Sequence, residues 1–307
     1  MSNSKLPENV FPTAGDDLGA VRLTPDTPQT RSPSYRLAYS DGDFILRDEL
    51  RPVRLQLELL KPELVQQENG IRSTVVVFGS TRIPEAETAA ERLRLAEARV
   101  LQDPSDPVLA RKAAAAKRIL AKVHYYDQAR ELGRIITANA RQGEQCELVV
   151  ITGGGGGIME AANRGASDAG GKSIGLNIVI PQEQCPNAYI TPEFSFQFHY
   201  FAIRKMHFLM RARALVAFPG GFGTLDEVFE TLTLIQTRKI RAVPVLLFGK
   251  EYWRRIVDFE ALVDEGAIAP EDLELFQYVE TAAEAWEVIS RFHTQDTEPD
   301  PADRCPE

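Results

Sequence analysis

Two glycine-rich segments hold the residues best suited to chemistry in this 307-residue chain. The first is Gly153-Gly154-Gly155-Gly156-Gly157, which follows the apolar run Leu148–Thr152 and leads into Ile158-Met159-Glu160-Ala161-Ala162-Asn163. A strand, a run of glycines and a helix start together make an anion site. Glycine lets the backbone approach a ligand closely, and the helix that follows aims unpaired N–H groups and its positive dipole end at the same point. A tight turn needs one or two glycines. Five exceed that need, because each costs conformational entropy on folding, so a phosphate or ribose is the expected ligand. The second segment, Pro219-Gly220-Gly221-Phe222-Gly223-Thr224-Leu225-Asp226-Glu227, repeats the arrangement after an apolar run at 214–218. The Thr224 hydroxyl can cap the helix or contact a phosphate. Helix capping is the plain reading of Asp226 and Glu227, yet carboxylates here would repel an anion unless they face elsewhere. Glu227 and Glu230 are three apart and share a helix face. Asp226 diverges from Glu227 by about 100° and is expected to point outward.

Two further groups supplement these loops. Arg204-Lys205-Met206-His207 precedes the second glycine strand. Arginine offers a planar fork for a phosphate or a base edge, and lysine offers a point charge. The alternative is an exposed basic face. Gly79 and Ser80, with Thr81 and Arg82, follow the first strand and offer hydroxyls and a guanidinium at the same sheet edge, or an ordinary turn. Familiar cofactor motifs fail. A dinucleotide fingerprint needs glycine where Ile158 or Glu160 stands, and a P-loop ending at Gly171-Lys172-Ser173 needs glycine where Ala166 stands. His124, His199, His207 and His293 lack metal-ligand spacing, and no HExxH or GxSxG occurs. Neither a metal nor a cofactor is expected.

The elements that must position these residues alternate. Apolar runs at Ser73–Phe78, Leu148–Thr152, 174–180, 214–218 and 243–248, with a short one at 276–280, read as strands buried on both faces. Helical stretches at 124–141, 158–169, 201–213, 225–237 and 252–265 separate them. This rhythm predicts an α/β fold with a doubly wound parallel sheet, whose ligand crevice lies where the strand order reverses. Residues 85–123 depart from it: two helices joined by the DPSDP turn read as a solvated hairpin, or as a lid or subunit contact. Residues 44–67 read as short helices broken by Pro52 and Pro62. The Pro- and Ser-rich residues 1–40 and the tail 294–307 read as disordered. The formal net charge of −9 argues against coating nucleic acid or an anionic membrane. Cys146, Cys185 and Cys305 form no CxxC pair, which suits a reducing compartment. With no apolar leader, a cytoplasmic location is expected.

The segments TGGGGGIMEAANRGA, Arg204-Lys205 and PGGFGTLDE resemble the Lonely Guy (LOG) family, whose members are also described as lysine decarboxylase-like. The resemblance spans roughly 73–293. It implies a Rossmann-like fold, a homodimer or higher homo-oligomer, and a nucleoside 5′-monophosphate phosphoribohydrolase. Such an enzyme splits AMP or a cytokinin ribotide into free base and ribose 5-phosphate. By position, Arg204 and Glu227 match the catalytic pair, and Gly220, Gly221, Gly223 and Thr224 match the phosphate loop. Lys205 and Glu230 match positions near the nucleotide. The family's first loop maps to 153–157, with Met159 and Glu160 at the helix start. Gly156 stands where relatives often have Pro or Ser, and the 85–123 insertion is longer than in compact members. A fixed carboxylate suits the oxocarbenium-like sugar of glycosidic cleavage. Arg204 could assist the departing base or clamp the phosphate. A nucleotide or molybdenum-cofactor carrier is the competing reading. A true amino-acid decarboxylase would need a pyridoxal lysine that nothing in the sequence marks.

Overall fold

A computed structural model of the chain describes residues 11–139, 148–181 and 185–295. It divides into two compact units, Met1–Leu57 and Glu58–Glu307.

In the first unit, residues of the segment read as disordered carry local helix. Thr13 and Asp16 form a reciprocal cap at the start of α1 (Ala14–Val21), with Asp16 N–H donating to Thr13 Oγ1 at 3.2 Å and Thr13 N–H to Asp16 Oδ2 at 3.0 Å. A four-residue helix α2 (Gly42–Ile45) follows. Among the described residues of this unit no apolar side chain is buried. Local caps, and not a core, shape it. The division falls within α3 (Arg51–Glu68), one continuous helix where two prolines predicted breaks. Pro52 lies in the first turn, where the missing N–H has no helical partner to lose. Pro62 lies inside and leaves the Glu58 carbonyl without its helical donor.

The second unit is built on a seven-stranded, all-parallel sheet: β1 (Ser73–Phe78), β2 (Leu148–Thr152), β3 (Ser173–Ile178), β4 (Ser195–Phe198), β5 (Ala212–Ala217), β6 (Val245–Phe248) and β7 (Gln277–Val279). Their order is β4-β3-β2-β1-β5-β6-β7. The chain winds outward from β1 to β4, crosses back to β5 on the other side of β1, and winds outward again. The order reverses between β1 and β5, the point above whose carboxyl ends such sheets place their ligands. This is a Rossmann-like, doubly wound fold.

After β1 the chain forms α4 (Ala86–Gln102) and α5 (Pro107–Leu120), the expected hairpin, and then α6 (His124–Asn139). Next come α7 (Ile158–Asp168), α8 (Phe201–Leu209), α9 (Phe222–Gln236), α10 (Lys250–Ile256), α11 (Phe259–Asp264) and α12 (Ala282–Gln295). Alternation along β1 sends Val75 and Val77 to a core with α6, α7 and α12, and Val76 and Phe78 to a core with α8 to α11. Gly133 and Gly165 let α6 and α7 touch: a Cβ on Gly165 would lie 1.8 Å from the Arg130 carbonyl oxygen.

The differences from expectation have local causes. Strand β4 escaped notice because Ser195–Phe198 alternates exposed and buried residues, as an edge strand does. The helix expected over 252–265 is two, because Asp258 ends one and caps the next through Ala261 N–H at 3.1 Å. The helix expected over 201–213 stops at Leu209, and its last residues start β5. Residues 140–141, Cys146, Cys305 and the tail from 296 lie outside the described residues. No described helix is long and apolar enough to cross a membrane.

Candidate active site

Backbone hydrogen bonds stitch three loops together at the carboxyl edge of β1, β2 and β5. Phe218 N–H donates to Phe78 O at 2.9 Å, Ser80 N–H to Pro219 O at 2.9 Å, and Ile158 N–H to Ser80 O at 3.1 Å. Ser80 therefore joins the two glycine loops. The joint needs glycine: Gly157 has φ +67°, and a Cβ there would lie 2.4 Å from Ser80 O. A Cβ on Gly79 would strike Ile158 at 2.5 Å, and one on Gly220 would strike Thr224 Oγ1 at 2.1 Å. Gly221 and Gly223 differ, since a Cβ on either would meet no atom within 4 Å. They border open space at the start of α9. Gly221 is the N-cap and supplies no capping side chain. The first-turn N–H groups of Phe222, Gly223 and Thr224 thus have no intrahelical acceptor, as an anion site requires. Thr224 itself is buried against Gly220.

Arg204 and Glu227 lie near enough for each charge to act on the other, without a direct ion pair. Arg204 Nε donates to Leu176 O at 2.8 Å, and its Nη2 lies 2.7 Å from where a Cβ of Gly153 would stand. That glycine makes room for the guanidinium, which also lies over the Phe208 ring at 5.1 Å. Burial pushes the Arg204 pKa down, while the Glu227 charge supports it. Glu227 is 6% exposed. Burial pushes its pKa up to about 7, Lys205 and Arg204 pull it back, and Glu230 and Asp226 add to the rise. A carboxyl group poised near neutrality beside a guanidinium is what acid–base or electrostatic catalysis at neutral pH needs.

On α9, Asp226 is exposed, and Glu230 lies close enough to Glu227 for its charge to raise that group's pKa. Asp226 and Glu230, four apart on one helix face, both hold Lys205 Nζ at 2.8 Å. Burial works against the lysine charge, but these hydrogen bonds outweigh it and raise the pKa. Lys205 is therefore placed as a clamp between α8 and α9, with its charge already balanced. Of the first-loop residues, Met159 is buried with Sδ 3.0 Å from the Gly153 Cβ position, and Glu160 accepts a hydrogen bond from Tyr126 Oη at 3.0 Å. The Gly156 Cβ position lies 3.7 Å from Glu160 Oε2.

A buried polar network that sequence reasoning missed shapes the first loop. Gly154 N–H donates to Thr152 Oγ1 at 3.0 Å, and that hydroxyl donates to Asn163 Oδ1 at 2.8 Å. Asn187 Nδ2 donates to Asn163 Oδ1 at 2.9 Å and to Gly155 O at 3.1 Å, while its backbone N–H reaches Gly154 O at 2.9 Å. Asn177, also buried, lies against Gly154, which has φ +75°. Asn163 could have been found as a polar residue on the apolar face of its helix. Nothing local marks Asn187. Asn187→Ala leaves the Gly155 carbonyl without its donor and removes one of the two donors to Asn163 Oδ1, at about 1–3 kcal/mol. Thermal melting is expected to show that loss.

A family model described as "Possible lysine decarboxylase" matches residues 159–289, from the start of α7 into α12. Two curated relatives from Arabidopsis thaliana are named cytokinin riboside 5′-monophosphate phosphoribohydrolases. LOG3 is 30% identical over 168 residues, covering 53% of this chain and 73% of that protein. LOG1 is 32% identical over 155 residues, covering 48% and 67%. The chain belongs to the LOG family. Among solved structures, the Moco carrier protein from Chlamydomonas reinhardtii matches at 20% identity with a TM-score of 0.40, covering 73% of this chain and 99% of that one. In this LOG chain Arg204, Lys205, Glu227 and the second glycine loop all fall inside the family-model match, whereas the first glycine loop and the α4–α5 hairpin precede it. Among the described residues no three His, Cys, Asp or Glu side chains are placed to hold a metal ion.

Proposed function

We propose that this LOG protein hydrolyses the N-glycosidic bond of a nucleoside 5′-monophosphate, AMP or a related cytokinin ribotide, to free base and ribose 5-phosphate. One observation carries the reading: a buried carboxyl group, Glu227, has its pKa pushed up to about 7 by burial within the influence of the Arg204 charge, in a helix whose N-cap is a glycine and whose first-turn amides lack intrahelical acceptors. The amides of Phe222, Gly223 and Thr224 take the 5′-phosphate, and binding energy there orients the sugar. Ionised Glu227 stabilises positive charge at C1′ and orients a water. The water oxygen bonds to C1′, the C1′–N bond breaks with its electron pair going to the base, and a water proton ends on the base. Arg204 balances the charge of Glu227 and of the bound anion. Exposed Phe201, Met206 and Met210 on α8 and its C-terminus suit a homo-oligomer, which belongs to the same reading.

Incubation with a panel of nucleoside monophosphates, followed by chromatography, tests the reading. Equimolar base and ribose 5-phosphate should appear from at least one of them, and intact nucleotide throughout would refute it. The pH dependence has a sign. The active form is the carboxylate, so kcat should fall as pH drops through about 7, where Glu227 gains its proton. A limb near the usual carboxylate value of about 4.3 would place the reacting group elsewhere.

A further inference from the structure

We propose that Glu58 is a positioning residue for this reaction centre: its carboxylate fixes the start of α8 and so the placement of Arg204 beside Glu227. The inference rests on the proposed hydrolysis. It gives a task to α3, which the family match does not cover.

Helix α8 has nine residues, and its N-cap, Tyr200, makes no side-chain cap. The backbone N–H groups of His199 and Tyr200 instead donate to Glu58, one to each carboxylate oxygen, at 2.9 and 3.0 Å. The negative charge also meets the positive end of the helix. Two residues beyond the other end, Arg211 grips Glu63 with Nη1 and Nη2, both at 2.6 Å, and donates from Nε to Ile71 O at 3.1 Å. Helix α3 thus holds the chain on both sides of α8. Between these anchors the His207 ring is buried against Phe198 at 5.5 Å, facing the Glu58 and Leu59 carbonyls, the first of which Pro62 leaves without a helical donor. Arg204 lies one turn from the Glu58 contact, with its N–H on Tyr200 O at 3.2 Å. Movement at Tyr200 therefore carries Arg204 away from Leu176 and Gly153. Glu227 faces Arg204 and Lys205 from α8, and Asp226 and Glu230 on its own helix. Withdrawing Arg204 removes one of the two charges that favour its ionised form.

The test uses the full chain carrying Glu58→Ala or Glu58→Gln, with Ile289→Val, a core change on α12, as a destabilised control. Glu58→Ala should lower kcat for AMP about tenfold and move the acidic limb of the kcat profile up by about half a unit. Glu58→Gln, which keeps one acceptor oxygen, should show a smaller shift in the same direction. Ile289→Val should lower the melting temperature and leave the limb in place. An unmoved limb in the Glu58 variants, with activity lost only as in the control, overturns the proposal. Should Glu58→Ala fail to fold, the limb in Glu58→Gln decides. If the wild-type protein releases no base from AMP, the proposed function fails. The positioning role is then read from the carbon-13 titration of the Glu227 carboxyl group: a higher midpoint in Glu58→Gln supports it, and an unchanged midpoint overturns it.

Discussion

Glu227→Gln is expected to lower AMP turnover by about 10²–10⁴-fold, the range typical for a lost acid–base or charge-stabilising group. Affinity for AMP should change little. The substitution keeps the shape of a side chain that is 6% exposed, and the proposed seat of the phosphate, the amides at the start of α9, is untouched by it. Removing the carboxylate also leaves Arg204 without the charge that supports it, so the anion should bind as well as before or slightly tighter. The limb near pH 7 should vanish with it, because no carboxyl group remains to titrate there. Rapid-quench measurement of adenine release and calorimetry of AMP binding on the same preparation check both halves. A mutant with wild-type kcat and a persisting limb would remove Glu227 from the mechanism.

Gly157→Ala is expected to have the second largest effect. Alanine at φ +67° is strained, and its Cβ would stand 2.4 Å from Ser80 O and 2.9 Å from Thr81 Cα. Such strain costs about 1–3 kcal/mol, and in a unit of this size each kcal/mol shifts the melting midpoint by about 2–4 °C. The larger consequence is functional. Ser80 accepts from Ile158 and donates to Pro219, so pushing it aside parts the two glycine loops. A displacement near 1 Å can cost about 10²-fold in kcat/KM. Gly223→Ala supplies the contrast, because its Cβ would enter open space. That variant should melt no lower than the parent, since alanine favours a helix, while losing AMP affinity because a methyl group covers the amides. Equal melting losses in the two variants would contradict this division of labour.

How much of this was legible in the sequence depended on where each signal resided. Strands β1 and β2 were readable to the residue because both are almost wholly buried, which makes continuous apolar runs. Edge strand β4 shows no such run. The proline rule misread α3, because it counts a proline in the first turn as a break and does not foresee that one lost hydrogen bond at Pro62 can be tolerated. In the site, the glycine loops were legible because strand-to-helix junctions announce themselves locally, whereas the pairing of Arg204 with Glu227 came only from the family resemblance. The Lys205 clamp follows from the four-residue spacing of Asp226 and Glu230, which sets both on one helix face beside the lysine. The Asn163/Asn187 network was not legible, since Asn187 reaches Gly154 across 33 residues with no periodic pattern to point there.

The most direct test of the central claim is a crystal structure of Glu227→Gln with AMP bound. The phosphate should rest on the amides of Phe222, Gly223 and Thr224, with C1′ turned toward residue 227 and the ribose between the two glycine loops. A nucleotide bound with its phosphate elsewhere, or with C1′ facing away from residue 227, would contradict the account.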